Sequence, residues 1–146
     1  QNPPADIVKL LRARDAAADP KLALVAGERA ERRDSWLRRI SSRLANGLRM
    51  RVLQDGVRDT GCGLKLIRRD MYLSLPGFDH MHRFLPALVQ ARGGRIVTVA
   101  VAHRPRGRGR TKYGVSNRLW VGLVDMLGVL WLKRRSKLPD VETWTR

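Results

Sequence analysis

Cysteine is almost missing from this 146-residue chain: Cys62 is the only one. A single thiol excludes a disulfide framework and a cysteine-based zinc site, and it favours a reducing compartment. Acidic residues are also scarce, 13 against 30 lysines and arginines, for a net charge of +17. So large an excess predicts attraction to nucleic acid, an anionic lipid surface or a phosphorylated ligand. Aromatic residues make up only 5%. Long hydrophobic runs are lacking too. The longest, Leu119 to Leu132, is interrupted by Asp125. As a helix it would reach about 21 Å, short of a hydrocarbon core of roughly 30 Å. A buried or interfacial helix is the better expectation. The chain opens Gln1-Asn2-Pro3-Pro4 with no basic-then-apolar leader, so no signal peptide is expected.

What is present is mostly arginine: 24 Arg against 6 Lys. The guanidinium fork matches two phosphate oxygens at once, so this bias suits phosphate recognition, although a GC-rich genome would also raise it. The apolar 43% is enough for a modest core in one domain. Pro3-Pro4-Ala5-Asp6 opens a helix with Ile7, Leu10 and Leu11 on one side. Leu22 to Ala26, ending at Gly27, reads as a buried parallel strand, which makes the fold class α/β. Asp34 or Ser35 caps a helix to about Val52, with Leu37, Ile40, Leu44 and Leu48 as its apolar stripe. Arg38, Ser42 and Arg49 fall on its opposite side. Asp55-Gly56 is a turn, and Thr60 to Ile67 a short strand. Arg69 to Leu75 and His82 to Arg92 read as helices, and Arg95 to His103 as a strand. Ser116 or Asn117 caps a last helix ending in Lys133-Arg134-Arg135, and an irregular tail follows.

Five groups of residues could carry chemistry. Arg104, Arg106, Arg108, Arg110 and Lys112 alternate with small residues and stop at Tyr113-Gly114. Such a loop can fold over a diphosphate, or serve as a solvated basic or RNA-binding arm. Arg29 follows Gly27-Glu28 at a strand end, where α/β sheets place ligands. Arg38 and Ser42, four apart on one helix face, could hold a phosphate together or simply form an exposed basic face. Asp59 precedes the glycine-rich Thr60-Gly61-Cys62-Gly63-Leu64-Lys65, where it lines a pocket or only makes a turn. His82 and Arg83, at a helix start, could meet an anion. His80 and His82, two apart, do not share a helix face and make a poor zinc site. In the last helix, Trp120 and Trp131 followed by three basic residues match either a helix in the headgroup zone of an anionic membrane or one buried in its own domain.

Taken in order, Gln1-Asn2-Pro3-Pro4, Gly27-Glu28-Arg29, Asp34-Ser35-Trp36-Leu37-Arg38-Arg39 with Ser42, Asp59 through Lys65, Met81 through Pro86, and Arg104 through Gly114 resemble glycosyltransferase family 2, of the dolichol or polyprenyl-phosphate mannosyltransferase type. The resemblance implies the C-terminal part of a Rossmann-like GT-A domain over residues 1–114. It implies an amphipathic interface helix over 115–135, with the tail at 136–146. The implied enzyme is an inverting glycosyltransferase that moves a sugar from a nucleotide-sugar donor to a polyprenyl phosphate, as a peripheral protein on the cytoplasmic face of the membrane. By resemblance Arg29, Arg38 and Ser42 hold the acceptor phosphate. Arg104, Arg106, Lys112 and Tyr113 belong to a loop closing over the diphosphate, and Asp59 is an acidic residue near the reacting centre. Gln1 edges a divalent metal site for Mg or Mn, whose acidic ligands in the family lie just upstream of that glutamine. A homo-oligomer stays open. The rival readings are a small basic nucleic-acid-binding protein, which leaves Trp120 and Trp131 unexplained, and a non-catalytic membrane-surface module.

Overall fold

The computed structural model describes residues 3–29, 46–102 and 115–136, with side chains from 120 onward in the last stretch. In chain order these form α1 (Ala5–Ala17), β1 (Leu22–Arg29), a helix α2 over 46–53, β2 (Lys65–Ile67), α3 (Arg69–Ser74), a 3-10 turn (Met81–Arg83), α4 (Leu85–Ala91), β3 (Arg95–Val101) and α5 (Val115–Arg135).

The sheet has the order β2-β1-β3, with β1 parallel to β3 and antiparallel to β2. The middle strand, β1, is covered on both faces, so its sequence is a continuous apolar run rather than an alternating one. Toward one face Leu22 and Val25 pack with Leu10 of α1, Cys62 and Val101. Toward the other, Ala23, Leu24 and Ala26 pack with Leu53, Leu88, Val89, Met126 and Val129 from α2, α4 and α5. The result is a mixed α/β arrangement of three layers, with α1 on one side of the sheet and α2, α4 and α5 on the other.

Several expected elements differ in extent. The segment before Lys65 is irregular, and only Lys65–Ile67 pair with β1. The helix expected over His82 to Arg92 is split at Phe84 into the 3-10 turn and α4, with Pro86 in the first turn of α4, where its missing N–H costs little. The orientation of α2 is the opposite of the expected one. Leu48 is 47% exposed, whereas Arg49 is buried at 6%. The inward face of this helix carries Arg49 beside the fully buried Leu53, and the guanidinium meets Asp55 and the Val57 carbonyl there.

Candidate functional site

Because β2 runs against β1, its first residue lies at the same edge of the sheet as the last residues of β1 and β3. Ala26 pairs with Lys65, and Arg29 pairs with Val101. The Gly27 N–H donates to the Leu64 carbonyl at 2.9 Å. Gly27 is required here by close approach: a Cβ on it would sit 3.0 Å from the Leu64 oxygen and 3.2 Å from both Cys62 Sγ and Val101 Cγ2. The loop preceding β2 is thereby pressed against the carboxyl end of β1, which is where open α/β sheets bind ligands.

At this edge Arg29 and Asp59 meet across thirty residues of chain. Arg29 Nε donates to Asp59 Oδ2 at 2.6 Å and Nη2 donates to Oδ1 at 2.8 Å. The Arg29 backbone N–H also points to Oδ2, at 3.4 Å. The side chains are 18% and 8% exposed, so the pair is largely withdrawn from water. A two-to-two fork of this kind fixes the plane of the guanidinium as well as its position. Gly61 lies against the pair: a Cβ there would be 3.4 Å from Arg29 Nη2 and 3.5 Å from Asp59 Oδ1.

Two cations missed by the sequence reading complete the cluster. Lys65 Nζ donates to the carbonyls of Thr60 (3.0 Å) and Cys62, closing the loop on itself. Burial lowers the Lys65 pKa, opposed by Cys62 and Asp59 and reinforced by Arg29 and Arg49. Arg49 reaches in from α2. Its Nη2 donates to the Val57 carbonyl and its Nη1 lies 3.4 Å from Asp55 Oδ2. Burial lowers its pKa as well, while Asp55 and Asp59 raise it. Asp55 is fully buried, and desolvation raises its pKa more than Arg49 lowers it. Among the described residues, Arg29, Arg49 and Lys65 thus gather around Asp55 and Asp59 at this edge. The signal for Arg49 in the sequence is its place on the helix face shared with Arg38 and Ser42.

Of the other expected site residues, His82 and Arg83 lie on the 3-10 turn. Burial lowers the His82 pKa, and the charges of Arg83, Lys65 and His80 lower it further, so the imidazole stands within electrostatic reach of Lys65. Asp6, at the start of α1, accepts from the Ala102 N–H at 2.8 Å and ties that helix to the same edge, just past β3. Gln1, Arg38, Ser42, Arg104, Arg106, Lys112 and Tyr113 lie outside the described residues. The two arginine-rich segments that hold all of these but Gln1 nevertheless begin where β1 and β3 end, at this edge. Among the described residues no group of three or more His, Cys, Asp or Glu side chains is placed to hold a metal ion.

On α5, Trp120, Val124, Leu127 and Trp131 are 70, 54, 62 and 62% exposed. At 100° per residue they share one line of the helix, opposite the buried Met126 and Val129. Lys133, Arg134 and Arg135 follow. Among the described residues no helix is long and apolar enough to cross a membrane.

Two comparisons with known proteins bear on this arrangement. The chain is 35% identical over 115 residues to an undecaprenyl-phosphate 4-deoxy-4-formamido-L-arabinose transferase of Edwardsiella ictaluri, a match covering 79% of this chain and 34% of the relative. It is 34% identical over 142 residues to a dodecaprenyl-phosphate galacturonate synthase of Rhizobium johnstonii, covering 95% of this chain and 41% of the relative. The chain thus spans about a third to two fifths of the curated relatives it matches. No family model matches it, and no solved structure does. The resemblance read from the sequence is borne out: the homologues are sugar transferases and synthases named for polyprenyl phosphates.

Proposed function

We propose that this homologue of the polyprenyl-phosphate sugar transferases forms the acceptor side of such an enzyme, with the carboxyl edge of its sheet holding the lipid phosphate. The observation that carries the proposal is the Arg29–Asp59 fork at that edge, flanked by Lys65 and Arg49, where both arginine-rich segments leave the sheet. Arg38 and Ser42 complete the phosphate site in this reading, and Arg104, Arg106, Lys112 and Tyr113 cover the diphosphate of a nucleotide-sugar donor. The domain is then the C-terminal part of a GT-A fold, and any divalent metal takes its ligands outside the described residues.

The chemistry follows from the charges. A polyprenyl phosphate oxygen is already anionic near neutral pH and needs little help from a base. It attacks the anomeric carbon from the face opposite the leaving group. The new oxygen–carbon bond forms as the bond to the nucleoside diphosphate breaks, with inversion. The obstacle is bringing two anions together, and fixed cations lower it without reorganising during the reaction. Asp59, with both oxygens on Arg29, acts in this scheme by holding the guanidinium in plane.

The lipid tail needs a surface. The exposed line Trp120, Val124, Leu127 and Trp131, followed by the exposed Arg134 and Arg135, suits a helix lying among the headgroups of an anionic cytoplasmic leaflet. Flotation on anionic vesicles doped with undecaprenyl phosphate or with undecaprenol tests the reading. Stronger association with the phosphate-doped vesicles is expected. Equal association would mean that the chain does not recognise the phosphate.

A further inference from the structure

The loop carrying Asp59 is held by more than its own turn. Gln54 and Gly56 both have positive φ, 54° and 66°, so the backbone reverses sharply on leaving α2. Three side chains from three helices brace this reversal. Gln90 of α4 donates to the Asp55 carbonyl at 3.3 Å, Lys133 of α5 donates to the Leu53 carbonyl, and Arg49 of α2 donates to the Val57 carbonyl. Asp55 Oδ1 receives the Val57 N–H at 3.4 Å. Asp59 follows two residues further on.

Arg49 does not fit the role of a filler. Its Nε and Nη1, and Oδ2 of Asp55, are buried with no hydrogen-bond partner. Apolar side chains of similar volume often stabilise a fold as well as a buried ion pair does. What a guanidinium adds at this point is direction, because one nitrogen is tied to the Val57 carbonyl while another faces Asp55 Oδ2 at 3.4 Å.

We infer that Arg49 is a positioning residue: from α2 it fixes the 55–57 reversal and so sets the Asp59 carboxylate that holds Arg29 in plane. The inference rests on the acceptor-phosphate reading only for what Arg29 is held ready to meet. Arg49 takes no part in bond making.

The test is hydrogen exchange at the Arg29 Nε–H, read by NMR on the ligand-free chain. Arg49→Lys keeps the charge and loses the fork. It is expected to speed exchange at Arg29 Nε–H about tenfold, as losing one buried bonding partner does. The Leu24 and Val25 amides in the middle of β1 should stay within about twofold, since the core around them is untouched. The double substitution Arg49→Met with Asp55→Leu, which exchanges the ion pair for apolar contact, should give the same split if the lysine variant folds poorly. Unchanged Arg29 Nε–H exchange in either folded variant would overturn the inference. So would acceleration of Arg29 and the β1 amides together, which marks a merely structural residue. Titration with inorganic phosphate and with farnesyl phosphate separates the two readings. If wild type binds neither, the acceptor-phosphate reading fails, while the exchange data still decide the role of Arg49.

Discussion

Replacing Asp59 by Asn keeps the shape of the side chain and removes the charge that Arg29 faces at 2.6 and 2.8 Å. Breaking a buried ion pair by removing one partner costs about 3–5 kcal/mol, because the remaining charge stays desolvated. Arg29 keeps 18% of its side chain in water and Asp59 only 8%, which places the expected loss near the lower end, about 3 kcal/mol. Urea unfolding has a slope of about 1–3 kcal/mol per molar for a chain of this size, so the midpoint should fall by about 1.5 M. The Arg68–Asp70 pair supplies an internal control. It has the same chemistry, with Nε to Oδ1 at 3.0 Å, but its side chains are 47 and 66% exposed. Arg68 holds the Asp70 pKa at about 2, yet Asp70→Asn should leave the urea midpoint in place, because an exposed pair is screened. If Asp59→Asn moves the midpoint by less than about 0.5 M, as an exposed pair would, the fork is not the buried anchor described here.

Gly27→Ala pushes a methyl group to 3.0 Å from the Leu64 carbonyl oxygen, which is backbone and cannot rotate away; overpacking of this kind should cost about 1–3 kcal/mol, read by thermal unfolding. The Asp6 carboxyl is held below the ordinary aspartate value of 3.8 chiefly by its hydrogen bond from Lys9, with the Ala102 N–H helping. Its contribution is therefore present above pH 3.8 and lost as pH falls through the lower folded value. Wild type and Asp6→Asn should differ in urea midpoint at pH values above that window and converge in acid; a constant difference would refute the assignment. Trp120→Ser with Trp131→Ser should abolish flotation on anionic vesicles while leaving the melting temperature unchanged, since both rings are exposed. A fall in melting temperature would mean that the rings pack inside the protein.

What can be read from sequence depends on how far apart the cooperating residues lie. Leu22 to Ala26 announces a strand buried on both faces, because a run without polar breaks has few other uses. Arg29 can be placed at a strand end for the same reason. Its pairing with Asp59 cannot, because thirty positions separate them and only the antiparallel return of β2 brings the loop back. The inward face of α2 escapes the sequence for a related reason. Periodicity assigns the apolar stripe to the core, and by that rule Leu48 points in and Arg49 out. Asp55 and the Val57 carbonyl make burial of the guanidinium tolerable instead, and that partnership depends on the turn at Gly56. In the sequence Lys65 is only the end of a glycine-rich motif, because its bonds to the Thr60 and Cys62 carbonyls require a loop conformation that composition does not specify.

A prenyl phosphate held at the carboxyl edge of the sheet through Arg29 can be followed on the chain itself. Titrating the chain with farnesyl phosphate in micelles, while following the Arg29 and Lys65 side-chain signals by NMR, measures this directly. Saturable shifts are expected at both residues, with reversal by excess inorganic phosphate and affinity at least about tenfold weaker in Arg29→Ala, the loss of a charge-assisted contact. Binding that leaves these signals unmoved, or that is equally tight in Arg29→Ala, would contradict that placement of the phosphate.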